Sequence, residues 1–101
     1  MNIIGLWFAA RVSDVKINLG RLIDMRRRKV DPEVIVSAMI EANKSGIKID
    51  IDQLEKHYLL GGNVSNIIHA MILANNRNVE LSFQALAADD LAGKNVFEEV
   101  K

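Results

Sequence analysis

The sequence has no cysteine, one proline, two histidines and few aromatic side chains among its 101 residues. Without cysteine there is no disulfide framework, no thiolate zinc site and no thiol nucleophile, which fits a reducing compartment. Two histidines leave few ways to assemble a metal site. No long apolar run occurs either. Ile3 to Ala10, the most apolar stretch, is far short of the roughly 20 residues a membrane-crossing helix needs, and it lacks the basic leader and cleavage site of a signal peptide. Excess charge is also missing, with 13 basic and 13 acidic residues, so the whole-chain balance gives no reason to expect a nucleic-acid partner. That neutrality conceals a split. Residues 1 to 30 hold seven basic and two acidic side chains, net +5, and residues 31 to 101 hold six basic and eleven acidic, net −5.

At 11.3 kDa and half hydrophobic, the chain has the size of one small domain, and it repeats internally. Residues 31–64 laid over residues 63–96 give 11 identities in 34 pairs, among them Ile35/Ile67, Ala38/Ala70, Met39/Met71, Ala42/Ala74, Leu54/Leu86 and Gly61/Gly93. Chance pairing gives about two or three. A further step of 32 residues brings Val15, Ile17, Asn18 and Leu22 into the same frame. The repeats lie near 1–30, 31–62 and 63–94, and 95–101 begins a further element.

Each copy reads as helix, short extended link, helix. Ile35, Val36, Met39 and Ile40, like Ile67, Ile68, Met71 and Ile72, recur at spacings of three and four and mark one helix face. Asp31 followed by Pro32 is a helix start. Asp14, Gly46 and Asn78 share one slot and tolerate the left-handed backbone of a helix stop. The second helices open at Asn18, Asp50 and Ser82, all capping residues, with Asp50 and Gln53 at capping-box spacing; Gly61 and Gly93 close them. The linking triplets Val15–Ile17, Ile47–Ile49 and Val79–Leu81 alternate in polarity and are expected at most to pair as single β-bridges. The expected class is therefore all-α, about three helix–short extended link–helix repeats stacked into one small domain.

Groups for chemistry are sparse. His57 and His69 lie in different helices and read as surface histidines. Asp50 reads as a cap, and Asp89 with Asp90 point about 100° apart on a helix, as on a solvated face. No nucleophile triad and no phosphate-cradling glycine loop is present; Gly61-Gly62 lacks the Gly-Lys-Ser/Thr that would follow. No catalytic residue, cofactor site or metal site is expected. Asn43 and Asn75, in one repeat slot, are expected to tie the helix end to the backbone of the link. Leu73, opposite the apolar stripe, is the one pointer to an exposed binding surface.

Two features concentrate in the first third. Ile3-Ile4-Gly5-Leu6-Trp7-Phe8-Ala9-Ala10 is apolar on every side, and Arg11, then Arg21 and the run Arg26-Arg27-Arg28-Lys29 follow it. An apolar segment with tryptophan succeeded by cations suits a membrane interface: Ile3, Ile4, Leu6, Trp7 and Phe8 at the interface, and Arg21, Arg26, Arg27, Arg28 and Lys29 on anionic headgroups. The alternative is a buried solenoid end with a solvated helix terminus. Nucleic acid is not the expected partner, because no aromatics interleave with the basic run.

The stretches Leu22 to Val30, Gln53-Leu54-Glu55-Lys56-His57-Tyr58-Leu59 with Gly61-Gly62-Asn63-Val64, and Asp90-Leu91-Ala92-Gly93 resemble the N-terminal region of the bacterial flotillin-like protein A family. The likeness runs from about Gly5 to Val100. It implies a homo-oligomeric membrane scaffold that organises microdomains at the cytoplasmic face of the cell membrane, with no reaction of its own. In that family a membrane-inserting segment precedes the position of Leu6-Trp7, and a stomatin/prohibitin/flotillin domain follows that of Val100. On this reading residues 1–12 are a membrane-proximal apolar helix stub, residues 13–101 are the helical repeat domain, and the piece alone is soluble. The competing expectation is a soluble helical-repeat adaptor that binds a peptide or partner helix.

Overall fold

The computed structural model describes residues 2–100. They form α1 (Ile3–Val12), α2 (Leu19–Arg27), α3 (Pro32–Lys44), α4 (Ile51–Leu59), α5 (Val64–Asn76) and α6 (Phe83–Leu91), with a 3₁₀ turn at Glu98–Val100. The class is all-α, as the periodicity requires. Helices α2, α4 and α6 begin and end 32 residues apart, and so do the ends of α1, α3 and α5.

Local chemistry accounts for these boundaries. The side chains of Asn18, Asp50 and Ser82 each accept from an amide of the first turn, and Asn2, Asp31 and Asn63 do the same for the other three helices. Asp50 caps the Asp52 amide at 2.9 Å, whereas the Gln53 amide goes to the Asp50 backbone carbonyl. The cap is therefore an Asx turn one residue tighter than a capping box. At the other ends, Asp14, Gly46 and Asn78 have φ of 62°, 74° and 56°. The following amide closes back on the helix, Val15 to Ala10, Ile47 to Ala42 and Val79 to Ala74, each at 2.8 Å. This is the Schellman arrangement, which satisfies carbonyls a helix end otherwise leaves open. The second helices close the same way onto Met25, His57 and Asp89.

First helices stack on first helices, α1 on α3 and α3 on α5, and the 3₁₀ turn continues the row against α5. Each also packs against the second helix of its own copy. One continuous core results, running from Leu6 and Ala10 through Leu22, Ile35, Leu54 and Ile67 to Leu86 and Val96. Leu22, Leu54 and Leu86 share one repeat position and are fully buried, so truncating any of them to alanine costs about 2–5 kcal/mol.

Several details differ from the sequence reading. Among the described residues no link forms a bridge or strand; in the first link Val15 and Ile17 are buried and Lys16 is exposed, so the alternation serves core packing. The Asn43 amide donates to the Ser13 carbonyl at 2.9 Å, which ties α3 to the end of α1 rather than to its own link. Asn75 is exposed and does not repeat that bond, so the structural role expected of it does not hold. Leu73 is half-buried, covered more than its place opposite the stripe suggests.

Candidate functional site

The two sequence features of the first third meet at one corner of the molecule. Because α1 and α2 form a hairpin, the C-terminal end of α2 comes back beside the start of α1, and one cleft is lined by Ile3, Leu6, Arg26, Asp31, Pro32 and Glu33. Asp31 is committed to capping α3, accepting from the Glu33 amide at 3.0 Å.

The five apolar residues divide by helical phase. Leu6 is buried, while Ile3 and Trp7 are half-buried against the core. Ile4 and Phe8 are 64% and 60% exposed, and Val12, one further turn along, is 79% exposed. Trp7 meets Phe8 edge to face at 5.8 Å. The Arg11 guanidinium lies 5.1 Å above the indole ring, a cation–π contact that leaves the charge in solvent.

The basic residues divide as well. Arg21 and Arg28 both turn to Glu55 on α4, whose carboxylate is buried. Arg21 Nε donates to Glu55 Oε2 at 2.9 Å, and its second nitrogen bridges Glu55 and Asp52. Arg28 pairs with the other Glu55 oxygen and, at 2.9 Å, with Asp24. The Arg28–Glu55 contact is an ion pair without hydrogen-bond alignment, since Glu55 Oε1 accepts no well-angled bond. Hydrogen bonds to Glu55 first and to Asp52 second hold the Arg21 guanidinium above its ordinary pKa, and close pairing with Glu55 first and Asp24 second raises that of Arg28 as well. Arg26, Arg27 and Lys29 are exposed and make no ion pair with another described residue. Lys29 has a φ of 62°, in the slot that Gly61 and Gly93 occupy in the later copies.

The α4–α6 junction has a different polar link. His57 is only 3% exposed, contrary to its reading as a surface residue. Its Nε2 donates to Asp90 Oδ2 at 2.7 Å, and the same oxygen accepts the Asn63 amide at 2.7 Å. Asp90 thus turns inward rather than joining a solvated face. A Cβ on Gly62 would stand 2.0 Å from the imidazole, so this glycine makes room for the ring. Burial of His57 was detectable in principle, because its slot holds the buried Met25 in the first copy. His69 is exposed and pairs with Glu41 at 2.8 Å.

Among the described residues no three His, Cys, Asp or Glu side chains converge as metal ligands, and no helix is long and apolar enough to cross a membrane. A family model described as flotillin-like protein FloA matches residues 1–101. Proteins called flotillin-like protein FloA share 52% identity over 97 residues in Parabacteroides distasonis, 45% over 98 in Alkaliphilus metalliredigens and 43% over 98 in Staphylococcus saprophyticus. These matches cover 95–97% of this chain but only 29–30% of each relative. No solved structure matches.

Proposed function

Because the chain belongs to the flotillin-like protein FloA family, we propose that it is a non-enzymatic segment of a membrane scaffold that organises microdomains at the cytoplasmic face of the cell membrane. Its basic corner binds anionic headgroups, and its repeat surface serves self-association in the full-length homo-oligomer. The observation that carries this reading is the meeting of the apolar start of α1 with the basic end of α2 around one cleft. Neighbouring apolar and cationic surface is what a membrane interface selects. Arg26, Arg27 and Lys29 are the headgroup ligands, while Arg21 and Arg28 chiefly hold the fold together through Glu55.

Each cation near an anionic surface contributes about 1 kcal/mol, so these three give about 3 kcal/mol, roughly 100-fold in partition. The test is flotation with vesicles containing phosphatidylglycerol, comparing the parent with R26E/R27E/K29E, which spares the Glu55 pairs. Because the variant reverses the three charges rather than merely removing them, a loss of at least that order, matched by a steep salt dependence of the parent, supports the reading; equal flotation of variant and parent contradicts it. The adaptor alternative draws on two grooves at equivalent repeat positions, one beside Val15–Leu19 and one beside Val79–Ser82. Salt-insensitive peptide binding without vesicle association favours it.

A further inference from the structure

One repeat position stands out by its exposure. Ile4 of α1 is 64% exposed, whereas its equivalents Val36, Ile68 and Val100 are at most 1% exposed. The elements that carry these buried equivalents each stack on the preceding helix of the row, α3 on α1, α5 on α3 and the 3₁₀ turn on α5. The groove between α3 and α5 shows the same register, with Ile68 and Ser65 facing Val34, Ser37 and Ala38. Ile4 therefore stands where the repeat buries its equivalents, and with Phe8, whose equivalents Ile40 and Ile72 are half-buried, and the exposed Val12 it makes an apolar row at the end of the stack that no described helix covers.

We propose that an anionic lipid surface covers this face, with α1 lying flat in the headgroup region and the stack standing end-on upon it. The inference rests on the membrane reading above and adds an inserted face and an orientation to it. The argument for lipid as the occupant is charge complementarity. Arg11 borders the stripe from within α1, and Arg26 flanks the start of α1 across a cleft that Asp31, engaged as the α3 cap, and Glu33 also line; Arg27 and Lys29 lie beside Arg26 in sequence, exposed, and tip the local balance to positive. A second copy presenting the same end would bring like charges together. The position of Leu6 also matters: it is buried in the core, so α1 cannot expose its whole circumference to acyl chains without leaving the fold. An in-plane helix needs only one apolar face, sunk about 5–10 Å into the headgroup and acyl boundary.

Trp7 is the only tryptophan and reports depth directly. The full chain is mixed with phosphatidylcholine vesicles with and without phosphatidylglycerol, carrying bromine either near the carbonyl end of the acyl chain or near its terminus. Stronger quenching of Trp7 by the shallow bromines is expected, and stronger quenching by the deep ones overturns the in-plane geometry. Phe8→Asp and, in a second variant, Phe8→Ser remove apolar surface from an exposed site, with thermal melts as the fold control. Vesicle partition is expected to fall at least tenfold in the first variant and less in the second, with the melt unchanged. Unchanged partition in both, with partition still lost in R26E/R27E/K29E, overturns the inference and leaves the proposed function standing. If the parent itself does not bind anionic vesicles, both fall. If Phe8→Asp instead dissociates a self-associated parent without altering lipid binding, a second copy is the occupant and the inference is wrong.

Discussion

Helices α1 and α5 hold the same place in the repeat but differ in what their outer faces meet. Ile68 of α5 is sealed under α3, while Ile4 of α1, at the same position, stands in solvent. The amino-acid type is the same, so exposure here follows from location in the row and not from residue choice. An apolar face retained where nothing described covers it points to a partner. The polar contacts between second helices differ in parallel. The first junction sets two arginines on a buried carboxylate; the next sets a buried imidazole on an aspartate. The cations at the first junction are thus partly structural.

The largest expected effect tests the first contrast. Ile68→Ala should cost about 2–5 kcal/mol, as for a fully buried aliphatic side chain, whereas Ile4→Ala should stay within about 0.5 kcal/mol. Urea unfolding of both variants measures it, and equal losses would break the equivalence. Next, Gly62→Ala should destabilise by about 1–3 kcal/mol through overpacking against His57. A double variant with His57→Ala should recover part of that cost, and purely additive losses would remove the steric explanation. At the first junction, Arg21→Met deprives the buried Glu55 of its best-aligned donor. The expected loss is about 1 kcal/mol, because the guanidinium is itself partly exposed and screened. A thermal melt identical to that of the parent would show that Arg28 alone suffices. The smallest effect concerns Lys29, which occupies a left-handed slot that glycine fills twice elsewhere. Lys29→Gly should stabilise the fold by roughly 0.5–1 kcal/mol and weaken partition to anionic vesicles about fivefold. A parallel change in both quantities would sever the charge from its proposed role.

Much of the fold was legible because local chemistry sets it. Asn18, Asp50 and Ser82 differ in type but share a capping oxygen, and Asp14, Gly46 and Asn78 differ but share tolerance of positive φ. Those properties act within a few residues, so a sequence displays them. The contacts of Glu55 and His57 act across 27 to 34 residues, and their partners come from a different copy. Nothing near Glu55 marks it as buried, since its equivalents are the exposed Ile23 and the half-buried Ala87. Among the membrane-interface candidates, composition grouped Leu6 with Ile4 and Phe8, while helical phase placed Leu6 in the core. Val12 lies past the apolar run, beyond Arg11, where composition does not single it out. The period of 32 predicted stacked helical hairpins, whereas their order in a row and the row's uncovered end emerge only in the assembled stack.

The absence of cysteine allows the most direct measurement. Three separate variants, Phe8→Cys, Leu60→Cys and Leu91→Cys, place one environment-sensitive label on exposed apolar sites, the first on α1 and the others at the ends of α4 and α6. Leu60 is a demanding control, since it lines a pocket with Arg28 and Lys56. On vesicles containing phosphatidylglycerol the account predicts a blue shift of the label at position 8, with little change at 60 or 91. A shift at 60 or 91 that equals or exceeds the one at 8 would contradict it, placing the edge of the stack, rather than its end, against the membrane.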